Sequence, residues 1–303
     1  MGSLVVTLAV VQPASIPEAR RRGAQVCDWC EQYGGGYERW YLNPANYARR
    51  LYKVRREEAE ASGAEANPQV AGGMSVVGRE FLEAQTRGDH ETVARMRRDA
   101  EQVSWRIHFG QVVTKEEVDR IIDIIYPIGL MTCVCRRSMR GLPDDENFTC
   151  IGMGPGMYKW ERWPDTYRGG MNFLTPEEAK QVIDVLNRRG LVHCMYTFGT
   201  PYLAGICNCD YPDCGGLRTA VDMGVRVVWK GHYVAEVDPD RCNGCGLCVR
   251  RCQFKALSFS SSTLKAYIDP FKCFGCGLCR NPCKPDAIEL VDRASLPAVA
   301  GVW

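Results

Sequence analysis

"VDPDRCNGCGLCVRRCQFKAL" (residues 237–257) recurs as "IDPFKCFGCGLCRNPCKPDAI" (residues 268–288), 31 positions further on, and every cysteine aligns. Each copy reads Cys-x2-Cys-x2-Cys-x3-Cys: Cys242, Cys245, Cys248, Cys252, then Cys273, Cys276, Cys279, Cys283. Three thiolates two residues apart on a glycine-bearing loop wrap three corners of an iron–sulfur cube. Gly244, Gly246, Gly275 and Gly277 let the backbone bend close and bring N–H groups near sulfur. The fourth cysteine opens a short helix that points away, so it ligates the neighbouring cube. The expected ligand sets are Cys242, Cys245, Cys248 and Cys283 for one [4Fe–4S] cluster, and Cys273, Cys276, Cys279 and Cys252 for a second. Eight zinc-binding cysteines would need a different pattern of spacers.

Over about residues 232–292 these motifs make the chain resemble the bacterial two-[4Fe–4S] ferredoxin family, which implies a βαβ repeat around two clusters. The chain departs from that family in one respect. The usual proline after the fourth cysteine is missing: Gln253 follows Cys252, and Pro285 stands two places after Cys283.

Composition sets the chemistry of the remainder. Seventeen cysteines in 303 residues are far more than packing needs. A secreted disulfide scaffold of this length would carry an export signal. The apolar "LVVTLAVVQPAS" (4–15) has nothing basic before it and reads as a β-strand, and Arg20-Arg21-Arg22 is followed by "GAQVCDWC", not by an apolar export segment. The longest apolar run, "IIDIIYPIGLMTCVC" (121–135), is broken by Asp123 and Pro127 and is too short to span a bilayer. The thiols therefore point to metal binding in a reducing compartment, with the cytoplasm expected. A net charge of +2 gives no electrostatic reason to expect nucleic acid or a membrane surface as partner.

Upstream, Asn43 and Pro44 open a predicted helix over 43–61, and "HETVARMRRDAEQV" (90–103) reads as another. Thr114 with Glu117, and Thr175 with Pro176 and Glu178, are capping boxes before amphipathic runs, and Gly190 closes the second. Strand-like segments are "GLMTCVCRR" (129–137), "GLVHCMYTF" (190–198) and "VRVVWKG" (225–231). The fold class expected is α+β, a ferredoxin-like domain preceded by a cysteine-containing helix/strand domain. Boundaries follow: a helical N-terminal region at 1–104 with a Cys-x2-Cys pair, an α/β domain at 105–231, the ferredoxin domain at 232–292, and a tail at 293–303 whose apolar "SLPAVAGVW" is expected to dock. The aromatic group Tyr37, Trp40, Tyr41, Tyr47 and Tyr52 is expected to pack locally around a helix start or to meet a partner.

Six further cysteines lie in the middle domain: Cys133 and Cys135 where a strand meets a loop, Cys150 at the end of a polar loop, and Cys207, Cys209 and Cys214 in "GICNCDYPDC" (205–214). Four readings are open. Four of the six hold one more [4Fe–4S] cluster; or all six join Cys27 and Cys30 in two tetrathiolate sites; or four hold a structural zinc; or they are small buried hydrophobes. The paired Cys-x-Cys spacing favours a metal, because an i, i+2 pair on a strand shares one face. Cys27 and Cys30 suit zinc as well as iron. His193 is a candidate ligand or proton relay, with a hydrogen-bonded core role as the alternative. Cys194 is set aside as a nucleophile for want of a base. Arg136, Arg137 and Arg140 either raise a cluster potential or form a solvated basic loop.

"CVCR" (133–136), "GLVHCMYTF" and "GICNCDYPDC", followed by the ferredoxin module, also resemble a family of anaerobic 4Fe–4S dicluster proteins over about residues 106–292. That resemblance implies redox work beside other enzyme subunits. The expected function is single-electron transfer within a larger anaerobic oxidoreductase, through two ferredoxin clusters and one or two more, with a flavoprotein or metalloenzyme subunit as partner and no membrane insertion. The alternatives are a reductase with its own substrate-binding cluster and a zinc-stapled redox-sensing adaptor.

Overall fold

The computed structural model of the chain describes residues 30, 39–44, 80–140, 148–154, 171–197 and 203–302. The expected strand over 4–15, the body of the helix over 43–61, Cys27, and Tyr37, Tyr47 and Tyr52 lie outside the described residues.

Helix starts follow the caps. The Asp89 carboxylate accepts the Thr92 N–H at 3.0 Å and opens α1 (His90–Ile107). Beyond β1 (Gly110–Val112), α2 (Lys115–Ile122) begins with a complete capping box. There Thr114 Oγ1 accepts the Glu117 N–H at 3.2 Å and the Glu117 carboxylate accepts the Thr114 N–H at 2.9 Å.

β2 (Ile128–Thr132) stops just before Cys133, and Cys135 lies in the first turn of α3 (Val134–Arg140). The first thiol pair therefore straddles a strand-to-helix switch, and the expected strand-to-loop junction is corrected. β3 (Phe148–Met153) holds Cys150 inside a strand, which corrects its placement in a polar loop. After β4 (Met171–Phe173), α4 (Pro176–Arg189) repeats the capping box with Thr175 and Glu178. It ends at Gly190, whose φ of 95° is open only to glycine without strain. β5 (Val192–Tyr196) and β6 (Gly205–Cys209) follow, then α5 (Gly215–Asp222) and the two-residue β7 (Val228–Trp229).

The seven strands form one sheet in the order β4-β2-β3-β6-β5-β1-β7, antiparallel except for β1 with β7. Its two faces differ in chemistry. On one face Ile128, Ile151, Met153, Met195 and Ile206 meet Val118, Ile121 and Ile122 of α2 and Ala179 and Ile183 of α4. Trp40 and Tyr41 are buried in this same core, and the Tyr41 hydroxyl donates to Glu117 Oε1 at 2.7 Å. They pack across 76 positions of sequence, so the expectation of purely local packing is corrected. The opposite face carries Val192, Cys194, Tyr196, Cys207 and Cys209 and is covered by Leu217 of α5, by Phe81, and by Phe254 and Leu278 from the C-terminal unit.

The C-terminal unit consists of β8 (Tyr233–Val237), α6 (Leu247–Arg251), β9 (Leu257–Ser260), β10 (Lys265–Ile268) and β11 (Ile288–Asp292). β8 pairs with β11 and β9 with β10, both antiparallel, so each sequence copy contributes one strand to each ribbon. The helix of the first copy ends at Cys252, which corrects the expectation that the fourth cysteine opens a helix, and the equivalent stretch of the second copy is a series of turns. The segment after Asp292 docks on this unit. Val299 is buried in its core, and the fully buried Arg293 donates to the carbonyls of Gly231 (2.9 Å), Tyr233 (3.0 Å) and Cys273 (2.7 Å).

The two capping boxes differ in burial, and this sets an expectation. Thr175→Ala lowers stability by about 1 kcal/mol, and Thr114→Ala, at a buried cap that also steadies Glu117, by about 2 kcal/mol. Anaerobic thermal melts of the two variants check the order.

Candidate metal centres

The two sequence copies impose the same backbone on their thiols. Gly244 and Gly275 both have φ of 73°, Gly246 and Gly277 have 69° and 76°, and Lys255 and Asp286 have 53° and 52°. The Ala256 N–H donates to Cys252 Sγ at 3.4 Å and its counterpart, the Ala287 N–H, donates to Cys283 Sγ at 3.3 Å. A β-carbon on Gly275 would run into the Tyr233 carbonyl, so the loop lies on β8 with no room for a side chain.

Cys252, Cys273, Cys276 and Cys279 together line one cavity whose remaining walls include Ala235, Phe254 and Ile268. Burial raises the Cys276 thiol well above its ordinary value and pushes Cys279 up to about 12, with Cys273 adding to the effect at Cys279. Of the other four, Cys242 and Cys248 are buried, Cys283 is half-buried, and Cys245 is the one exposed cysteine among the described residues. Soft sulfur donors, N–H groups directed at sulfur and a cavity lined by one full ligand set fit a four-iron cube.

The six upstream cysteines come together from four separate segments. Each thiol is near enough to the next in the sequence Cys133–Cys150–Cys207–Cys209–Cys214–Cys135 to shift its titration, and Cys133 and Cys135 also affect one another, so the six gather as a ring. Strand register explains the meeting. β6 pairs with β5 so that Cys207 lies opposite Cys194, and with β3 so that Cys150 falls beside Cys207 on the same face. Cys135 and Cys214 are brought in by the first turn of α3 and the residue that opens α5.

Cys150 is the focus of this ring. It accepts from Cys133 and Cys207, then from the Asn208 N–H, and has the Arg136 guanidinium near it, so its thiolate is favoured. Cys133 and Cys207 are correspondingly raised, first by their hydrogen bonds to Cys150 and then by burial. Cys209 is pushed up to about 12, with its hydrogen bond to Cys194 the leading cause.

Arg136 is buried, which corrects the solvated-loop alternative for this residue. It pairs with Asp210 at 2.7 Å, lies 3.6 Å from Asp213, and donates to Thr149 Oγ1 at 2.8 Å. Burial works against its charge, and the Asp210 hydrogen bond and the adjoining thiols more than restore it.

Among the described residues, no three or more Cys, His, Asp or Glu side chains form a shell around a single metal ion. The same holds for the eight C-terminal cysteines; a four-iron cube separates its ligands more widely than one ion does.

Two residues predicted for metal lie elsewhere. His193 alternates to the face opposite the thiols, where its Nδ1 donates to Asn208 Oδ1 at 2.5 Å, so the hydrogen-bonded core role is the one observed. Cys30 is buried among Trp40, Tyr41 and Leu42 on the helix-covered side, away from the six-thiol ring. Its expected companion Cys27 lies outside the described residues.

Two others were missed. Cys194 is fully buried in contact with Cys209, and close enough to Cys276 to interact with it. Tyr196 donates its hydroxyl to Cys194 and is also near Cys207, Cys209 and Cys214. Its ring occupies a slot where a β-carbon on Gly110 or Gly216 would collide with it. The available signal was the strand alternation Val192, Cys194, Tyr196, which puts both side chains on the Cys207 face.

Gln253, where the ferredoxin pattern has proline, bridges the two thiol regions. Its Oε1 accepts the Tyr211 N–H at 2.7 Å, between Cys209 and Cys214, and its Nε2 donates to the Gly190 carbonyl at 2.5 Å. A proline at this position has no side-chain amide to make either bond.

A family model for the 4Fe-4S binding domain matches residues 235–258, which contain Cys242, Cys245, Cys248 and Cys252. No curated protein matches the chain. The chain thus carries a C-terminal ferredoxin-type module with the means to hold at least one four-iron cluster. Among the described residues no helix is long and apolar enough to cross a membrane.

Two outcomes follow from the buried charges. Burial lowers His193 to about 4, below its unfolded value of about 6.5, so its contribution is complete above pH 6.5 and is lost as pH falls toward 4. The loss amounts to about 3 kcal/mol at 1.36 kcal/mol per unit, and His193→Gln flattens this part of the stability–pH profile. Arg136→Met leaves two acidic neighbours without their guanidinium and costs about 3 kcal/mol, measured by denaturant unfolding of the anaerobic protein.

Proposed function

We propose that this chain is an electron-transfer protein with two four-iron centres in its C-terminal module and a further one in the upstream ring. In this reading it serves as a subunit of a larger anaerobic, cytoplasmic oxidoreductase. Its ligand sets are the two expected from the sequence repeat, together with four of Cys133, Cys135, Cys150, Cys207, Cys209 and Cys214. Bound clusters supply one-electron redox chemistry; the chain supplies burial, N–H donors to sulfur and docking surface.

The observation that carries the reading is the convergence of six cysteines from β2–α3, β3, β6 and the start of α5 into one ring. Thiols serving only as small hydrophobes have no reason to gather from four segments around a buried arginine. The centre that includes Cys245 is nearest to solvent and is the natural point of exchange with a redox protein or flavoprotein subunit. The reductase alternative would rely on His193 and the spare thiols, and His193 faces away from the thiols.

Anaerobic purification followed by iron, sulfide and zinc analysis tests this. About twelve irons per chain are expected, with a third of them lost in Cys150→Ala. About eight irons, unchanged in Cys150→Ala, would remove the upstream centre, and stoichiometric zinc in its place would favour the adaptor reading.

A further inference from the structure

The contacts between the upstream ring and the C-terminal module are selective. Every thiol of the module that reaches the upstream side belongs to one ligand set: Cys252 and Cys276 pack against the core containing Cys194, Cys207, Cys209 and Cys214. Cys242 and Cys248 belong to the module's own core together with Cys273 and Cys279, and neither they nor Cys283 packs into the upstream core. Three further contacts close this seam. Gln253, one residue after Cys252, holds the backbone at Tyr211 between Cys209 and Cys214. Phe254 stacks on Phe274 with ring centres 4.1 Å apart, and both pack into the same core. Lys255 lies over the Tyr211 ring at 5.7 Å.

We infer that Gln253 and Cys194 form a built junction joining the upstream ring to the set Cys252, Cys273, Cys276 and Cys279. These two sites are a coupled pair, and the set containing Cys245 communicates with the ring only through the second set. Gln253 is a positioning residue: it ligates nothing and fixes the separation of the two sites through the Tyr211 N–H. Cys194 fills the seam and is not a ligand. The inference rests on the ring holding a reducible centre, and it adds the order of the sites: exposed set, then buried set, then ring. One electron entering from an external one-electron carrier protein leaves as one electron, with no bond made or broken.

The test is electron paramagnetic resonance of the full-length protein, reconstituted anaerobically and reduced in steps, with iron counted in each sample. The signal of the ring centre is expected to be split by its neighbour. The splitting disappears in Cys276→Ala, or equally in Cys279→Ser, and persists in Cys245→Ala, while each variant loses the iron of one centre. Gln253→Ala and Cys194→Ala keep the full iron count, and Gln253→Ala narrows the splitting as the seam loosens.

An unsplit spectrum with all centres reduced, or splitting that is lost in Cys245→Ala and kept in Cys276→Ala, overturns the pairing. Iron loss in Cys194→Ala, or an unchanged splitting in Gln253→Ala, overturns the junction. If the unmodified protein holds about eight irons and Cys150→Ala leaves that count unchanged, the ring holds no centre and the electron-transfer reading itself fails at that site, whatever the splitting shows.

Discussion

The pairing of β5 with β6 in one register, Cys194 opposite Cys207, is the constraint on which the rest of the molecule depends. Strand side chains alternate, so a shift of one residue would exchange the two faces of the sheet. In the observed register all the thiols on these strands point toward the C-terminal module, and Met195 and Ile206 point into the helix-covered core. His193 and Asn208 pair on that second face, and the Asn208 side-chain amide also donates to the Thr149 carbonyl, which joins β3 to the arrangement. One hydrogen-bonded pair thus helps to lock the register that gathers the thiols.

This division separates two demands that conflict in small metalloproteins. The face under α2 and α4 is an ordinary apolar core whose residues need no metal to pack well. The other face holds buried thiols and a tyrosine hydroxyl among sulfurs, and the buried Arg136 guanidinium, held by Asp210 and Asp213, adjoins them. Such polar density is costly unless its members are satisfied by one another or by a bound group. Here the ring, Arg136 and Tyr196 satisfy much of it mutually, and the helix-covered face stabilises the sheet beneath.

Much of this was legible in the sequence, for identifiable reasons. The 31-residue repeat fixed the C-terminal loops because the glycines and cysteines recur at positions where few other residues fit. Both capping boxes were readable because a cap is local: the residues that make it are three apart. The strands β3 and β6 were harder to see, since "FTCIGM" and "GICNC" alternate small, polar and sulfur side chains where a strand signal relies on bulky apolar ones. His193 and Cys194 are neighbours in sequence and opposites in space, and only the β5–β6 register separates their roles. Trp40 and Tyr41 looked local because nothing in their own segment indicates Glu117 as the partner.

Gln253 also bears on what kind of object the C-terminal unit is. A small domain that diffuses alone keeps large apolar patches off its surface. In this chain the equivalent surface is given over to the sheet: Phe254, Phe274 and Leu278 are seated against it and Gln253 is tied to it at two backbone points. Cut free, the unit would expose an aromatic patch and two unmet amide bonds, the marks of a part shaped for one socket. In the proposed reading the unit is a fixed relay, and its exchange with other proteins falls to the side that bears Cys245.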